Sequence, residues 1–257
     1  MYIDSHVHLN SDVLYENLDF YVKKAQQQNV SHMIVIGFDG QTNKRAIEIA
    51  KNYPNIYATV GYHPTEAKSV TNDDFELLKT YLKQDKVVAI GECGFDFYWD
   101  EDHEAEQRYV FRTQIELAKE FDVPLIIHMR EATEKTFKLL EAYAPIKGIM
   151  HCYSGSAEMA ERFLELGLHI SLGGPVTFKN AKTPKEVARM VPLDKLLIET
   201  DAPYLTPHPY RGKQNDSSYI PLIAKEIARI KSLSVEKIAQ ATTYNALKLF
   251  NIKDDKQ

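Results

Sequence analysis

The sequence predicts an α/β fold, a (β/α)8 barrel of the TIM type, built as a single domain over residues 1–257. Three observations carry that expectation. The chain has 257 residues, and one such barrel typically takes ~250. Eight short β-rich runs alternate with stretches of helical periodicity. The histidines and acids suited to chemistry fall at the C-terminal ends of those runs, where barrel enzymes keep their reactive groups.

The runs are residues 2–7, 33–37, 56–61, 87–91, 125–128, 148–151, 168–171 and 196–199. Several are continuously apolar, as expected of parallel strands covered on both faces. Between the fourth and fifth, the stretch 104–121 places Phe111, Ile115 and Ala118 on one helical face. After the seventh, Thr183-Pro184-Lys185-Glu186 reads as a helix start, with Thr183 as cap, Pro184 first in the helix and Glu186 closing a capping box. Residues 234–250 form a final helix that closes the barrel. The segment 203–219 follows the eighth strand and is expected over the barrel mouth.

Composition narrows the function. Apolar residues make up 44% and charged residues 26%, ordinary values for a globular protein with a sizeable core. The net charge of −5 supplies no global field for polyanions, so a nucleic-acid substrate would need local cations. The two cysteines, Cys93 and Cys152, make no disulfide framework and fit a reducing cytoplasm. The N-terminus shows no signal-peptide pattern, no apolar run approaches a membrane span, and no obligate protein partner is evident.

Chemistry concentrates at one end. The first run carries Asp4, His6 and His8; the third His63; the fourth Glu92 and then Asp96; the fifth His128; the sixth His151; the eighth Glu199 and Asp201. His6 and His8 are two apart, so on a strand both imidazoles point to one side and suit one divalent ion. With Glu92, His128, His151 and Asp201 at the same end, the set reads as a metal site. His32 and His169 sit near strand starts and read as structural, and His103 as surface. Alternation would turn Cys93 and Cys152 away from the cavity as small buried hydrophobes. Phe95, Phe97, Tyr98 and Trp99 follow Glu92; rim aromatics can stack bases of a single strand, the alternative being a packed loop. Lys179, Lys182, Arg211 and Lys213 fall in loops after the seventh and eighth strands, where they would meet phosphates or stay solvated.

Six segments, taken together, resemble the TatD-type deoxyribonucleases of the amidohydrolase-like hydrolases. They are Ile3-Asp4-Ser5-His6-Val7-His8, Gly61-Tyr62-His63-Pro64, Ile90-Gly91-Glu92-Cys93-Gly94-Phe95-Asp96, His128-Met129-Arg130, His151-Cys152-Tyr153-Ser154-Gly155 and Glu199-Thr200-Asp201-Ala202-Pro203-Tyr204-Leu205. The likeness runs nearly end to end. Residues 207–219, with Arg211-Gly212-Lys213 and Asn215, also resemble the family; Ser217-Ser218 depart from it where a proline is expected near the tyrosine. The resemblance implies a phosphodiesterase acting on DNA, single-strand ends above all, as a 3′–5′ exonuclease with two divalent ions. It implies that His6, His8 and Asp201 hold one ion, that His128 and His151 hold the other, and that Glu92 bridges them. His63 and Arg211 would contact the phosphate or leaving group. Two such ions clamp the attacking and leaving oxygens of an in-line displacement, and Asp201 could accept the proton of the attacking water. The mixed donor set suits zinc, manganese, iron or cobalt better than magnesium, although availability can still favour magnesium.

Two other functions fit parts of this pattern. A sibling barrel could hydrolyse a small ester, lactone, amide or phosphotriester, but many of those bridge their metals with a carboxylated lysine on the fourth strand. Here Glu92 stands at that strand's end and Lys86 at its start. A non-catalytic metal-binding module would more naturally have lost a ligand.

Overall fold

The computed structural model describes residues 1–253; residues 254–257, the end of the expected domain, lie outside it. Its strands are β1 (Tyr2–Val7), β2 (Val30–Ile36), β3 (Ile56–Val60), β4 (Val87–Asp96), β5 (Leu125–Arg130), β6 (Gly148–Met150), β7 (His169–Leu172) and β8 (Leu196–Ile198). They form one sheet in chain order, with every successive pair parallel. Just past β8, Ala202 bridges to Val7 and closes the ring. There the His8 amide donates to the Ala202 carbonyl at 2.9 Å, and the Asp201 amide to the His6 carbonyl at 3.0 Å. Barrel closure itself therefore seats Asp201 beside His6 and His8.

Helices alternate with the strands and bury one face against them. In Glu104–Glu120 the expected stripe is realised, with Phe111 and Ile115 fully buried and Ala118 nearly so. Burying a side chain of the size of Phe111 or Ile115 contributes about 1.5–3 kcal/mol. The last helix, Val235–Leu249, is capped by Ser234, whose hydroxyl accepts from the Lys237 amide. It seals the end of the barrel opposite the site. Asn245 Nδ2 donates to the carbonyls of Leu193 and Leu196 at 2.8 and 2.9 Å, and Thr243 Oγ1 to that of Met1 at 3.2 Å. Leu249 and Phe250 join a cluster formed by Ile3, Ile34, Ala89, Ile126, Ile149 and Leu197. Residues from six strands converge this way only on the barrel axis, so an apolar plug underlies the polar end.

Three local expectations are corrected. First, β4 continues to Asp96 instead of ending at residue 91, because Cys93 to Asp96 keep pairing with Ile127 to Arg130 of β5. Gly94 permits it: its φ is +147°, and a Cβ there would lie 1.9 Å from the His128 carbonyl oxygen. Second, the helix after β7 spans Lys182–Met190 with Ala181 at its cap, and the capping box from Thr183 to Glu186 does not form. A turn from Phe178 to Ala181 feeds the helix two residues early. Pro184 then sits in the first turn, where a missing N–H costs no intrahelical bond. Third, β6 stops at Met150, so strand alternation does not govern Cys152. Its φ is +41°, and it is partly exposed, lining the cavity at the mouth. Cys93 is fully buried as expected, and both cysteines are free. Among the described residues, no helix is long and apolar enough to cross a membrane.

Candidate metal centre

Glu92 lies at the middle of the polar end, and its two oxygens face different partners. Oε1 is 2.8 Å from His128 Nδ1 and 2.9 Å from His151 Nε2. Oε2 is 3.5 Å from His6 Nε2 and 3.7 Å from His8 Nε2. Asp201 Oδ1 completes the second group, at 3.5 Å from His6 Nε2 and 3.3 Å from His8 Nε2. The expected residues His6, His8, Glu92, His128, His151 and Asp201 are thus brought together. His63 joins them at the edge, its Nε2 3.8 Å from Glu92 Oε1.

The outward nitrogens explain how the histidines are aimed. His8 Nδ1 is 3.3 Å from the Ile36 carbonyl, His128 Nε2 is 3.0 Å from Asp96 Oδ2, and His151 Nδ1 is 3.3 Å from Glu199 Oε1. Each of those partners is an acceptor, so each outward nitrogen carries a proton, and the inward one, on giving up its own proton, would present a lone pair toward the cluster. The inward nitrogens crowd: His6 and His8 Nε2 are 3.2 Å apart, and His128 Nδ1 is 3.3 Å from His151 Nε2. With their inward protons removed, nitrogens that close would repel unless a cation lay among them. Among the described residues, three neighbouring sets of potential ligand atoms lie within 4.8 Å of one another: His6 with His8 and Glu92, His63 with Glu92 and His128, and His6 with His151 and Glu199. The donor set of imidazole and carboxylate fits divalent transition metals.

His63 differs from the other four. Its Nδ1 accepts from the Thr65 amide at 3.2 Å, so the proton resides on Nε2, which faces Glu92 as a donor. Burial and the neighbouring His128 push its pKa down to about 3, so the ring is neutral near pH 7.

The charges are strongly coupled. Burial would raise Glu92, but His151 and the hydrogen bonds from His128, His151 and His6 hold it well below the ordinary carboxylate range. Burial opposes charge on His151 too, yet Glu92 and Glu199 lift its pKa well above that of free imidazole. Asp201 is likewise held ionised against burial, by His8 above all. A cavity of about 290 Å³ opens over the cluster, lined in part by His128, Arg130, His151, Cys152, Asp201 and Leu205.

The loop after β8 is folded onto this mouth. Asn215 Nδ2 donates to the carbonyls of Thr200 and Tyr204 at 2.9 and 2.6 Å. Gly174 packs so closely that a Cβ would lie 1.8 Å from the Leu205 carbonyl oxygen. Asp216 caps the turn that holds Ser217 and Ser218 through the Ser218 amide. Arg211, expected at the substrate phosphate, is not brought to the cluster. It is exposed, with its guanidinium 4.4 Å over the Phe178 ring, in a separate hollow with Lys179 and His208.

Three acids went without a role in the sequence pattern. Asp96 and Glu199 orient His128 and His151. Asp4, fully buried, accepts from the Thr200 amide at 3.0 Å and its hydroxyl at 2.6 Å, fixing the chain beside Asp201. Asp96 ends β4 and Glu199 directly follows β8, whereas Asp4 lies within β1; the pattern named all three acids without assigning them these supporting contacts. Of the aromatics after Glu92, Phe95 is core, while Tyr98 and Trp99 are exposed.

Comparison with known proteins places these features in a wider set. The family model described as TatD related DNase matches residues 3–251. The uncharacterized metal-dependent hydrolase YabD of Bacillus subtilis is 46% identical over 254 residues, covering 98% of this chain and all of that protein. YcfH of Escherichia coli K12, also named an uncharacterized metal-dependent hydrolase, is 35% identical over 97% of this chain and 96% of its own length. The crystal structure of YjjV, a TatD homologue from Escherichia coli K12, superposes with a TM-score of 0.93 at 30% identity, covering 98% of both chains.

Proposed function

The chain belongs to the TatD related DNase family, and from that premise we propose that it hydrolyses phosphodiester bonds of DNA, beginning at single-strand ends. It is a metal-dependent hydrolase; the bond it cleaves is our inference. The observation that carries the reading is Glu92, whose two oxygens face His6 and His8 on one side and His128 and His151 on the other. That division supports two divalent ions, one held by His6, His8 and Asp201, the other by His128 and His151, with Glu92 shared.

When bound, such ions polarise phosphoryl oxygens and acidify water. The protein's own groups supply the rest. Asp201 lines the cavity and is held ionised, so its carboxylate can take the proton of an attacking water. His63 presents a neutral Nε2–H toward Glu92 at the edge of the cluster, suited to a hydrogen bond with a phosphate or leaving oxygen held there. Asp96 and Glu199 hold two imidazoles at fixed angles, so little reorganisation accompanies the reaction. Arg211, with Lys179 nearby, offers positive charge to a strand leaving the cavity and not to the scissile phosphate.

Lys86 speaks against a carboxylated-lysine bridge. Its Nζ is committed to the carbonyls of Ala50 and Tyr53 at 2.6 and 2.5 Å, at the opposite end of β4. Assay of the metal-loaded protein on end-labelled single- and double-stranded DNA, beside ester and lactone substrates, tests the assignment. Release of nucleotides supports it; turnover confined to esters or lactones refutes it.

A further inference from the structure

Tyr98 and Trp99 are large apolar side chains left in water at the edge of the site, 50% and 67% exposed. Folding usually hides such surface. Here the backbone beneath them is held firmly. Asp96 Oδ1 accepts from both the Tyr98 and Trp99 amides at 3.0 Å, while Gln107 Oε1 accepts from the Asp96 amide at 3.0 Å and its Nε2 donates to the Asp100 carbonyl at 2.5 Å. The two rings meet edge to face, with centroids 4.8 Å apart. Arg130 lays its guanidinium 3.9 Å over Tyr98 and 5.5 Å from the Trp99 ring, and the same residue lines the cavity above the metal-site histidines. The Asp96 carboxylate that caps this turn also holds His128. Aromatic rings, a cation and the cavity are thus joined through one rigid support.

We propose that Trp99, with Tyr98 and Arg130 behind it, is a stacking platform for a nucleobase of the strand whose phosphate enters the cavity. Every base has a π-face, so such a platform grips single strands whatever their sequence. The cation between rings and cavity suits the neighbouring phosphate. Two-stranded DNA keeps its bases stacked on one another and cannot use the platform without fraying, so the platform favours single-strand ends. The proposal rests on the phosphodiester reading above, and its test separates the two.

Trp99 is the only tryptophan in the chain, so intrinsic fluorescence reports on it directly. The metal-loaded protein is mixed rapidly with an oligothymidylate, and fluorescence and nucleotide release are followed in the same reaction. The expected result is quenching that precedes release and is lost when the terminal nucleotides are abasic. Trp99→Ala should raise KM for single-stranded DNA roughly 5- to 150-fold with a much smaller change in kcat, and Trp99→Phe should recover part of the loss. Because the side chain is mostly exposed, neither variant threatens the core. Release without quenching, or equal quenching by the abasic strand, overturns the platform and leaves the hydrolytic reading standing. Base-dependent quenching without release supports the platform and refutes the hydrolytic reading. Absence of both signals refutes both.

Discussion

Glu199 Oε1 lies 3.3 Å from His151 Nδ1, on the far side of the ring from Glu92. The same oxygen accepts from the Cys152 amide at 2.7 Å, so the carboxylate is fixed before it orients the imidazole. Glu199→Ala should leave a buried histidine free to rotate and to change tautomer. Loss of such an orienting partner costs about 10- to 100-fold in metal affinity or activity. Glu199→Gln keeps an acceptor and should recover part of it. Metal titration of both variants checks this; wild-type affinity in the alanine variant would remove Glu199 from the site.

Glu92 carries a larger expectation. Glutamine has the same shape but no charge and one good acceptor oxygen, so it cannot serve both groups of histidines. Glu92→Gln should fold, lose tight binding of at least one ion, and lose turnover in step. Elemental analysis beside activity decides the point. Two tightly held ions per chain with unchanged turnover would show that Glu92 does not bridge.

His63 and Arg211 should separate. With its proton on Nε2, His63 is a donor to substrate, so His63→Ala should keep full metal content and lose kcat/KM by ~10²-fold or more. Arg211 lies away from the cluster, over Phe178, so Arg211→Ala should raise KM for long strands and steepen less with salt, with kcat nearly unchanged. If His63→Ala sheds an ion, His63 is a ligand.

Strand ends made most of this site legible in the sequence. His6, His8, Glu92, His128, His151 and Asp201 all meet because closure of a parallel barrel gathers such ends around one axis. What could not be read depended on backbone turns after the strands. Glu199 and Asp201 are two apart, and alternation would give them one direction; φ of +54° at Asp201 gives them different partners. The same kind of turn, φ +41°, brings Cys152 to the cavity. The position of Arg211 over Phe178 could not be read, because its loop is shaped by contacts such as those of Asn215 with Thr200 and Tyr204, which no local pattern encodes. The eight strands themselves were legible from apolar runs, but the length of β4 was not, since it rests on the fit of Gly94 against His128.

His169, at the start of β7, gives a pH expectation independent of the metal site. Burial, then the nearby Lys195, push its pKa down to about 4, against ~6.5 in an unfolded chain. The unfolded chain therefore binds more protons than the folded one between those values. Its contribution to stability is intact above about pH 6.5 and is lost progressively toward about pH 4. Urea midpoints measured across that range should fall less for His169→Gln than for the natural chain. Parallel curves would show that His169 titrates alike in both states.

The central claim is that bound divalent ions, held on the two faces of Glu92, are required for cleavage of a DNA phosphodiester bond. The most direct measurement is nucleotide release from end-labelled single-stranded DNA by one protein preparation before chelation, after it, and after single ions are returned. The account predicts that chelation abolishes release while the fold persists, and that a divalent ion restores it as metal content climbs toward two per chain. Release that continues undiminished from protein shown to be free of metal would contradict it.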